Sequence, residues 1–381
     1  MLWDVAIVGA GPAGSTAAVA ALRARPDARV LLLDRADFPR DKACGDGIAP
    51  HVFDVWSAID EPLDIPDHPE VWSLSLDSGR VRVRREMARP ARVVPRTTFD
   101  DALVERAVRR GAVLRRHRVR QVDVTADHVV LDEQIAARAV VAADGAHSAV
   151  ARLAGATGCF AGRSAFALRG YAPTPDSRRG MQIIRFGLER QPSYAWSFDC
   201  GDGWSNVGYG EVVRQRPGQA PLTRELMVRG VEMLLPGATD GAVRWLGHHL
   251  PLSRARFNHP AGRIVFAGDA AGLVNPLTGE GIYYAVATGA LAGRCAVTLA
   301  PHLLGRRYES VVRRLLARHL RTTATAARLA GRPRLLDVGL TAASGDQHAF
   351  DALVEIGLGA GVVSPRLVSS LARAGSAAVL R

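Results

Sequence analysis

Residues 3–34 read WDVAIVGAGPAGSTAAVAALRARPDARVLLLD. The run WDVAIV at 3–8 is too short for a helix and rich enough in Val and Ile to be a buried strand of a parallel sheet. Gly9, Gly11 and Gly14 follow it, then STAAVAALRA as a small-residue helix, a break at Pro26-Asp27, and a second buried strand, VLLLD. This is one βαβ unit opened by G-x-G-x-x-G. Gly9 permits the tight turn, Gly11 lets the backbone approach a pyrophosphate, and Gly14 lets the helix pack against the sheet. The helix N-terminus then offers free N–H groups and a positive dipole to the phosphates. About twenty residues further on, Asp34 closes the second strand, where a carboxylate accepts both hydroxyls of an adenosine ribose and repels a 2′-phosphate. The spacing predicts FAD or NAD, and not NADP.

Working outward, TFDDALVERAVRRGA reads as a helix with Leu103, Val104, Ala107 and Val108 on one side, and AVVAADGAHSAVARLA as a strand, a tight turn and a helix start. A third such join is RIVFAGDAAG. Its continuation, GDAAGLVNPLTGEGIYYA, separates FAD from NAD: a strand ending at Gly268-Asp269 presents a carboxylate at the carboxyl edge of the sheet, where Asp269 would hold a ribityl hydroxyl. Pro276, Gly279 and Gly281 lead into a helix whose free N–H groups suit a flavin ring that becomes anionic on reduction. An NAD dehydrogenase has no use for this late acid-and-glycine turn, so the expected cofactor is FAD. From about residue 160 to 250, aromatic and β-branched residues alternate between Gly and Pro punctuation (FALRGYAP, MQIIRFGLE, YAWSFDC, WSNVGYGEV), an antiparallel pattern. Tyr194, Trp196, Phe198 and Tyr209 on these strands would supply apolar walls for a substrate channel. After about residue 290 the chain becomes helical and arginine-rich.

The expected fold is therefore α/β with an α+β insert. Residues 1–75, 92–160 and 250–300 would form a discontinuous Rossmann-like FAD-binding domain. Residues 76–91 and 161–249 would form an antiparallel substrate domain, and 301–381 a helical C-terminal region.

With 381 residues, 48% hydrophobic and 23% charged, the composition is that of an ordinary globular chain and excludes disorder and collagen-like repeats. No run approaches the ~20 apolar residues of a membrane span, and VAIVGAG begins too early to leave room for a signal peptide; the expected place is the cytoplasm, with peripheral contact at a membrane surface left open. Cys44, Cys159, Cys200 and Cys295 stand too far apart to read as a zinc site or a disulfide framework. The net charge of +12 raises nucleic acid, but Lys42 is the only lysine among 49 basic residues, a bias that looks genomic. No nucleic-acid partner is expected. The arginines between Arg80 and Arg120 read as a solvated basic face, with an anionic partner (a diphosphate, a carrier protein or an acidic membrane surface) as the alternative.

GAGPAG, DRADFPRDKACGDG, the RTTFDDAL helix start, VVAADGAHSAVAR and GDAAGLVNPLTGEGI together resemble the geranylgeranyl reductase family, a branch of the FAD-dependent hydroxylase superfamily. KACGDGIAP is the most specific element, since hydroxylases of this fold usually lack the cysteine while the reductases carry K-x-C-G-G or K-x-C-G-D. YAWSFD resembles the family motif Y-x-W-x-F-P, with Asp199 in place of proline. The resemblance implies that Ala13, Asp34, Arg35, Gly45, Arg96, Val119, Asp269, Gly281 and Ile282 contact FAD, with Asp144 and Gly145 near the pyrophosphate. It also implies that Cys44 lies beside the flavin ring and that Tyr194 and Trp196 line the substrate channel. Lys42, also expected to bind the cofactor, belongs to the same loop as Cys44, which is flanked on the far side by Asp46, so Cys44 does not read as a core cysteine.

The function expected from these residues is hydride transfer from reduced flavin to a carbon–carbon double bond of a hydrophobic, isoprenoid or polyene substrate, with Cys44, a tyrosine or water giving the proton. A flavin monooxygenase or halogenase-like enzyme would share every FAD motif, although the W-x-W-x-I-P signature is missing; a non-catalytic flavoprotein is a third reading. The electron donor, NAD(P)H or a ferredoxin-type protein, and the oligomeric state are not legible. His248-His249 would point apart and make no metal site. GLGAG at 357–361 reads as a turn or helix contact, and LLGRRYESVVRRLLARHL as a packed surface helix.

Overall fold

The computed structural model describes residues 1–65, 67–156, 164–187, 190, 192–213, 220–254 and 262–379, with side chains to residue 376. Cys159 lies outside the described residues. The chain opens as β1 (Leu2–Val8), α1 (Pro12–Ala24), β2 (Val30–Asp34), β3 (Gly47–Ile48) and α2 (Pro50–Ala58). It continues with β4 (Glu70–Asp77), β5 (Arg82–Val93), α3 (Arg96–Arg109), β6 (Val113–Arg116), β7 (Val122–Val124), β8 (Val129–Leu131), β9 (Ile135–Ala142) and α4 (Ala149–Leu153). The middle contributes β10 (Ser164–Pro173), β11 (Met181–Phe186), β12 (Ser193–Asp199), β13 (Trp204–Val212), α5 (Arg224–Leu234) and β14 (Val243–Pro251). The end comprises β15 (Ile264–Phe266), α6 (Ile282–Thr298), α7 (Pro301–Ala330), α8 (Pro333–Gly345), α9 (Gln347–Leu358) and α10 (Pro365–Val379).

Two sheets result. The first runs β6-β2-β1-β9-β8-β7, and β9 also pairs with β15 along its second half; the β6, β2, β1, β9 and β15 pairings are parallel. β1 and β2 are buried at nearly every position, as strands covered on both faces must be. α1 and α6 cross backbone to backbone. A Cβ at Gly289 would run into the Ala13 carbonyl and one at Gly293 into the Ala17 carbonyl, so glycines four apart on α6 meet alanines four apart on α1.

The second sheet runs β14-β10-β13-β12-β11-β4-β5-β3, antiparallel except between β11 and β4. The antiparallel reading of the middle thus holds, but the sheet reaches further back than expected: β4 pairs along its whole length from Glu70, and β3 and the end of β5 also belong to it. Here the alternation of β5 buries Val83, Met87 and Ala91 against Leu336, Leu340 and Phe350 of the C-terminal helices. The last stretch of chain therefore covers the second sheet from one side. α7 does something else: Leu304, Tyr308, Val312, Leu316 and Leu320 join the core of the first sheet while its arginines face outward, as a packed surface helix should. On α3, Leu103, Val104 and Ala107 are buried, whereas Val108 is exposed, one position beyond the arc that faces α1.

Candidate active site

At the first glycine turn, Gly9 has φ +99°, and a Cβ there would strike Ala143 and Asp144 of the neighbouring strand end. A Cβ at Gly14 would strike the Gly9 carbonyl, so only glycine lets helix α1 start this close to β1. Asp34 is buried at the end of β2. Its Oδ2 accepts from the Ala10 amide at 2.8 Å and its Oδ1 from the Ala36 amide at 2.9 Å, which fixes the carboxylate beside the turn with lone pairs to spare. Above Gly11 lies Arg40, its guanidinium 3.9 Å from Asp34 and 3.3 Å from Asp100. Ala13, buried, spends its backbone on the contact with α6.

The second acidic turn follows β9. Asp144 accepts from Ser148 Oγ at 2.5 Å and from the Ala149 and Val150 amides at 2.7 and 3.2 Å, so its carboxylate caps α4. What it brings to the first turn is backbone, packed against Gly9; Gly145, at φ +81°, turns the chain away. Val119 is buried in the core just past β6, and Arg35 is exposed at the rim.

At the third turn, Asp269 Oδ2 pairs with Lys42 Nζ at 3.2 Å. Burial would raise this carboxyl, but the Lys42 charge and hydrogen bond outweigh it and hold Asp269 below the usual range. His248 faces the same pair and stays neutral, pushed down by burial and by Lys42. His248 and His249 both lie edge-on to the His147 ring, at 6.0 and 5.9 Å, and among the described residues no group of metal-ligating side chains is present. Past buried Pro276, Gly279 has φ +78° and Gly281 caps α6, whose first residue is buried Ile282. The loop between them is anchored from behind: Asn275 Nδ2 donates to the Ile356 and Gly357 carbonyls, and Thr278 Oγ1 donates to Gly357 at 2.7 Å. The GLGAG stretch is this anchor, a helix end rather than a nucleotide loop.

Cys44 meets this loop through the second sheet. Tyr194, Trp196 and Phe198 alternate on β12 and so share one face. Gly208 and Gly210 on β13 leave room for the rings of Trp196 and Tyr194, and Gly45 lies flat on Phe198 and Trp196. Tyr209 is on the other face, buried against Gly230 of α5, because it pairs with Ala195 and not with Trp196. The Tyr194 hydroxyl donates to the Thr278 carbonyl at 2.5 Å and so ties β12 to the glycine loop. Burial pushes the Cys44 thiol up, so it carries its proton at neutral pH. Arg96 is buried and bidentate on Asp100, at 2.6 and 2.8 Å, with its charge felt at Cys44. Asp199 holds the β12–β13 turn by accepting from the Gly180 and Gly201 amides.

Several site residues had not been singled out. Asp46 is fully buried and burial raises it to about 6; Asn206 donates from Nδ2 to Asp46 at 2.7 Å and to the Cys44 carbonyl at 2.8 Å, and accepts from Trp196 Nε1 at 2.8 Å. Glu280, which accepts from the Tyr283 amide, is raised by burial to about 7 beside Cys44 and Tyr194. The signal for both acids was a carboxylate between two glycines, in CGDG and TGEGI. Asn206 and Arg40 offered no such cue.

The residues fit an FAD. A fixed carboxylate at Asp34, backbone that only glycine permits at residues 9 and 14, and a second glycine turn before α6 match the ribose, pyrophosphate and ring ends of one extended dinucleotide. Comparison with known proteins agrees. The profile of the FAD binding domain family matches residues 3–182. A menaquinone reductase of Mycolicibacterium smegmatis is 35% identical over 76% of this chain and 75% of its own length. A digeranylgeranylglycerophospholipid reductase of Methanopyrus kandleri is 34% identical over 78% and 81%. Among solved structures, a geranylgeranyl bacteriochlorophyll reductase-like protein of Thermoplasma acidophilum shares the fold with a TM-score of 0.80 at 20% identity, covering 98% of this chain and 95% of that one. A halogenase solved with phloroglucinol and FAD does so at 0.72 and 16% identity, covering 97% and 90%.

Proposed function

This chain belongs to the geranylgeranyl reductase family of FAD-dependent oxidoreductases, and from that membership we propose that it reduces isolated carbon–carbon double bonds in a hydrophobic, isoprenoid-type substrate. The observation that carries the proposal is the placement of Gly45, next to Cys44, against Phe198 and Trp196 of β12, beside the loop that leads into α6. FAD, when bound and reduced, supplies the hydride to one alkene carbon.

The chain's own residues do the rest. Trp196 and Phe198 give the alkene an apolar wall that excludes water. Cys44, kept as a thiol by burial, is the proton donor to the second carbon. Tyr194 is not, because its hydroxyl proton is committed to the Thr278 carbonyl; it holds wall and cofactor loop in register. The N-terminus of α6 and the Arg96 guanidinium place positive potential at the site and favour an anionic reduced ring. The names of the relatives, which act on a prenylated quinone and on prenyl glycerolipids, support a long prenyl substrate.

The test is anaerobic. Dithionite-reduced holoenzyme is mixed with geranylgeranyl diphosphate, a prenylated quinone or a polyene, and flavin reoxidation is followed. Reoxidation with a product that has gained two hydrogen atoms per bond is expected, and Cys44→Ala should slow it by about a hundredfold or more while FAD stays bound. A product that contains oxygen and forms only in air would replace this reading with a monooxygenase.

A further inference from the structure

We propose that Asp46 is the proton store of this site and that its carboxyl recharges the Cys44 thiol after each turnover. The proposal rests on the alkene-reductase reading, which leaves Cys44 as a thiolate once its proton has gone to carbon.

An acid kept only to brace a loop would have both oxygens engaged, since buried polar atoms are almost always paired. Asp46 does not. The Tyr171 hydroxyl at 2.5 Å and Asn206 Nδ2 at 2.7 Å both donate to Oδ2, while Oδ1, equally buried, has no hydrogen-bond partner among the described residues. An oxygen in that position is where a proton can reside and from which it can leave. The backbone argues in the same direction. Residue 46 has φ +59°, a left-handed conformation in which glycine rests without strain, and yet the chain carries a carboxylate there, between two glycines.

The acid is also wired to the thiol. Its own amide N–H faces the Cys44 sulfur, two residues back on the same loop, and Asn206 spans the Cys44 carbonyl and the Asp46 carboxyl. Through Trp196 Nε1 the same asparagine is fixed to the channel wall. Among the described residues, the charged and titratable groups that face Asp46 are Tyr171 and Arg169 from β10, Arg96 from α3, and Cys200 at the end of β12, besides Cys44. Arg169 stacks on the Tyr171 ring and pairs with Asp41, so the two cations moderate the acid without forming an ion pair with it. Burial remains the largest influence and keeps the carboxyl protonated to about pH 6. In the recharging step the Asp46 O–H bond breaks, the Cys44 S–H bond forms, and the carboxylate takes a proton from solvent by way of the half-buried Tyr171 hydroxyl.

Two variants remove the carboxyl without forcing the backbone: Asp46→Asn and Asp46→Gly, both compatible with a positive φ. Holoenzyme turning over geranylgeranyl diphosphate or a prenylated quinone under dithionite should lose rate above a limb near pH 6. In both variants that limb should vanish and the rate at pH 5.5 should fall at least tenfold. Tyr171→Phe, which removes a donor that favours the charged carboxylate, should move the limb to higher pH. A wild-type pH profile in Asp46→Asn and Asp46→Gly would overturn the proposal. Infrared difference spectra give a readout independent of substrate: a protonated-carboxyl band that titrates near pH 6 in the wild type and is missing in Asp46→Asn supports the store, and its absence from the wild type overturns it. If the wild type turns over neither probe while the band titrates, it is the alkene-reductase reading that falls, with the acid still identified.

Discussion

Asp34 shows how little of a binding residue is free to vary. Its two oxygens are held by the Ala10 and Ala36 amides, so the carboxylate is oriented before any cofactor arrives, and the adenosine ribose would meet the remaining lone pairs. Asp34→Asn keeps an acceptor but loses the charge and turns an NH2 toward one of those amides. We expect FAD affinity to fall by about 1.5 to 3 kcal/mol, the worth of a hydrogen bond to a charged group, measured by fluorescence titration of the apoprotein. Affinity unchanged in the variant would show that the carboxylate does not contact the ribose. The same scale explains Lys42. The ammonium of the only lysine in the chain lies 3.2 Å from Asp269, which links the Cys44 loop to the third glycine turn.

Among elements, the contact of α1 with α6 controls the most. Both helices start at glycine turns, and they touch through Gly289 and Gly293 against Ala13 and Ala17, so the separation of the two turns is set by backbone contact. Gly293→Val would drive a β-branched side chain into the Ala17 carbonyl. The expected cost is about 1 to 3 kcal/mol or more, seen as a lower midpoint in urea, with weaker FAD retention because the two N-termini are pushed apart. Normal stability with normal retention would mean the helices can separate freely and that their contact does not position the site.

For the whole molecule, the C-terminal helices decide whether the two sheets behave as one body. α7 fills the core of the first sheet, α8 and α9 cover the second, and the end of α9 grips the Asn275–Thr278 segment that leads into α6. Holoprotein should contain about one FAD per chain and unfold in a single thermal transition. Free FAD at about a hundredfold over its Kd should add about 2.7 kcal/mol to apoprotein stability, a rise in Tm of about 3 °C. Two separated transitions, of which FAD moves only one, would show that the sheets unfold independently.

The βαβ unit, its glycines, Asp34, the late acid-and-glycine turn and the antiparallel middle could all be read from residue order. Each is written in signals local in the chain, as hydrophobic period, turn chemistry or the conformations that only glycine adopts easily. Alternation likewise put Tyr194, Trp196 and Phe198 on one face of a strand. It could not say which face meets the Cys44 loop, nor that Tyr209 looks the other way, because that depends on the register of β12 with β13 and on how the sheet closes over a loop about 150 residues away. That the carboxylate of Asp144 caps α4 was not legible either, because the donors at Ser148 to Val150 reach it only once the chain is folded. Chain order determined which cofactor this protein holds. Tertiary structure alone decided that Asp46, Asn206 and the face of Trp196 and Phe198 meet at the Cys44 loop, since those partners are chosen by long-range packing and leave no periodic trace in the sequence.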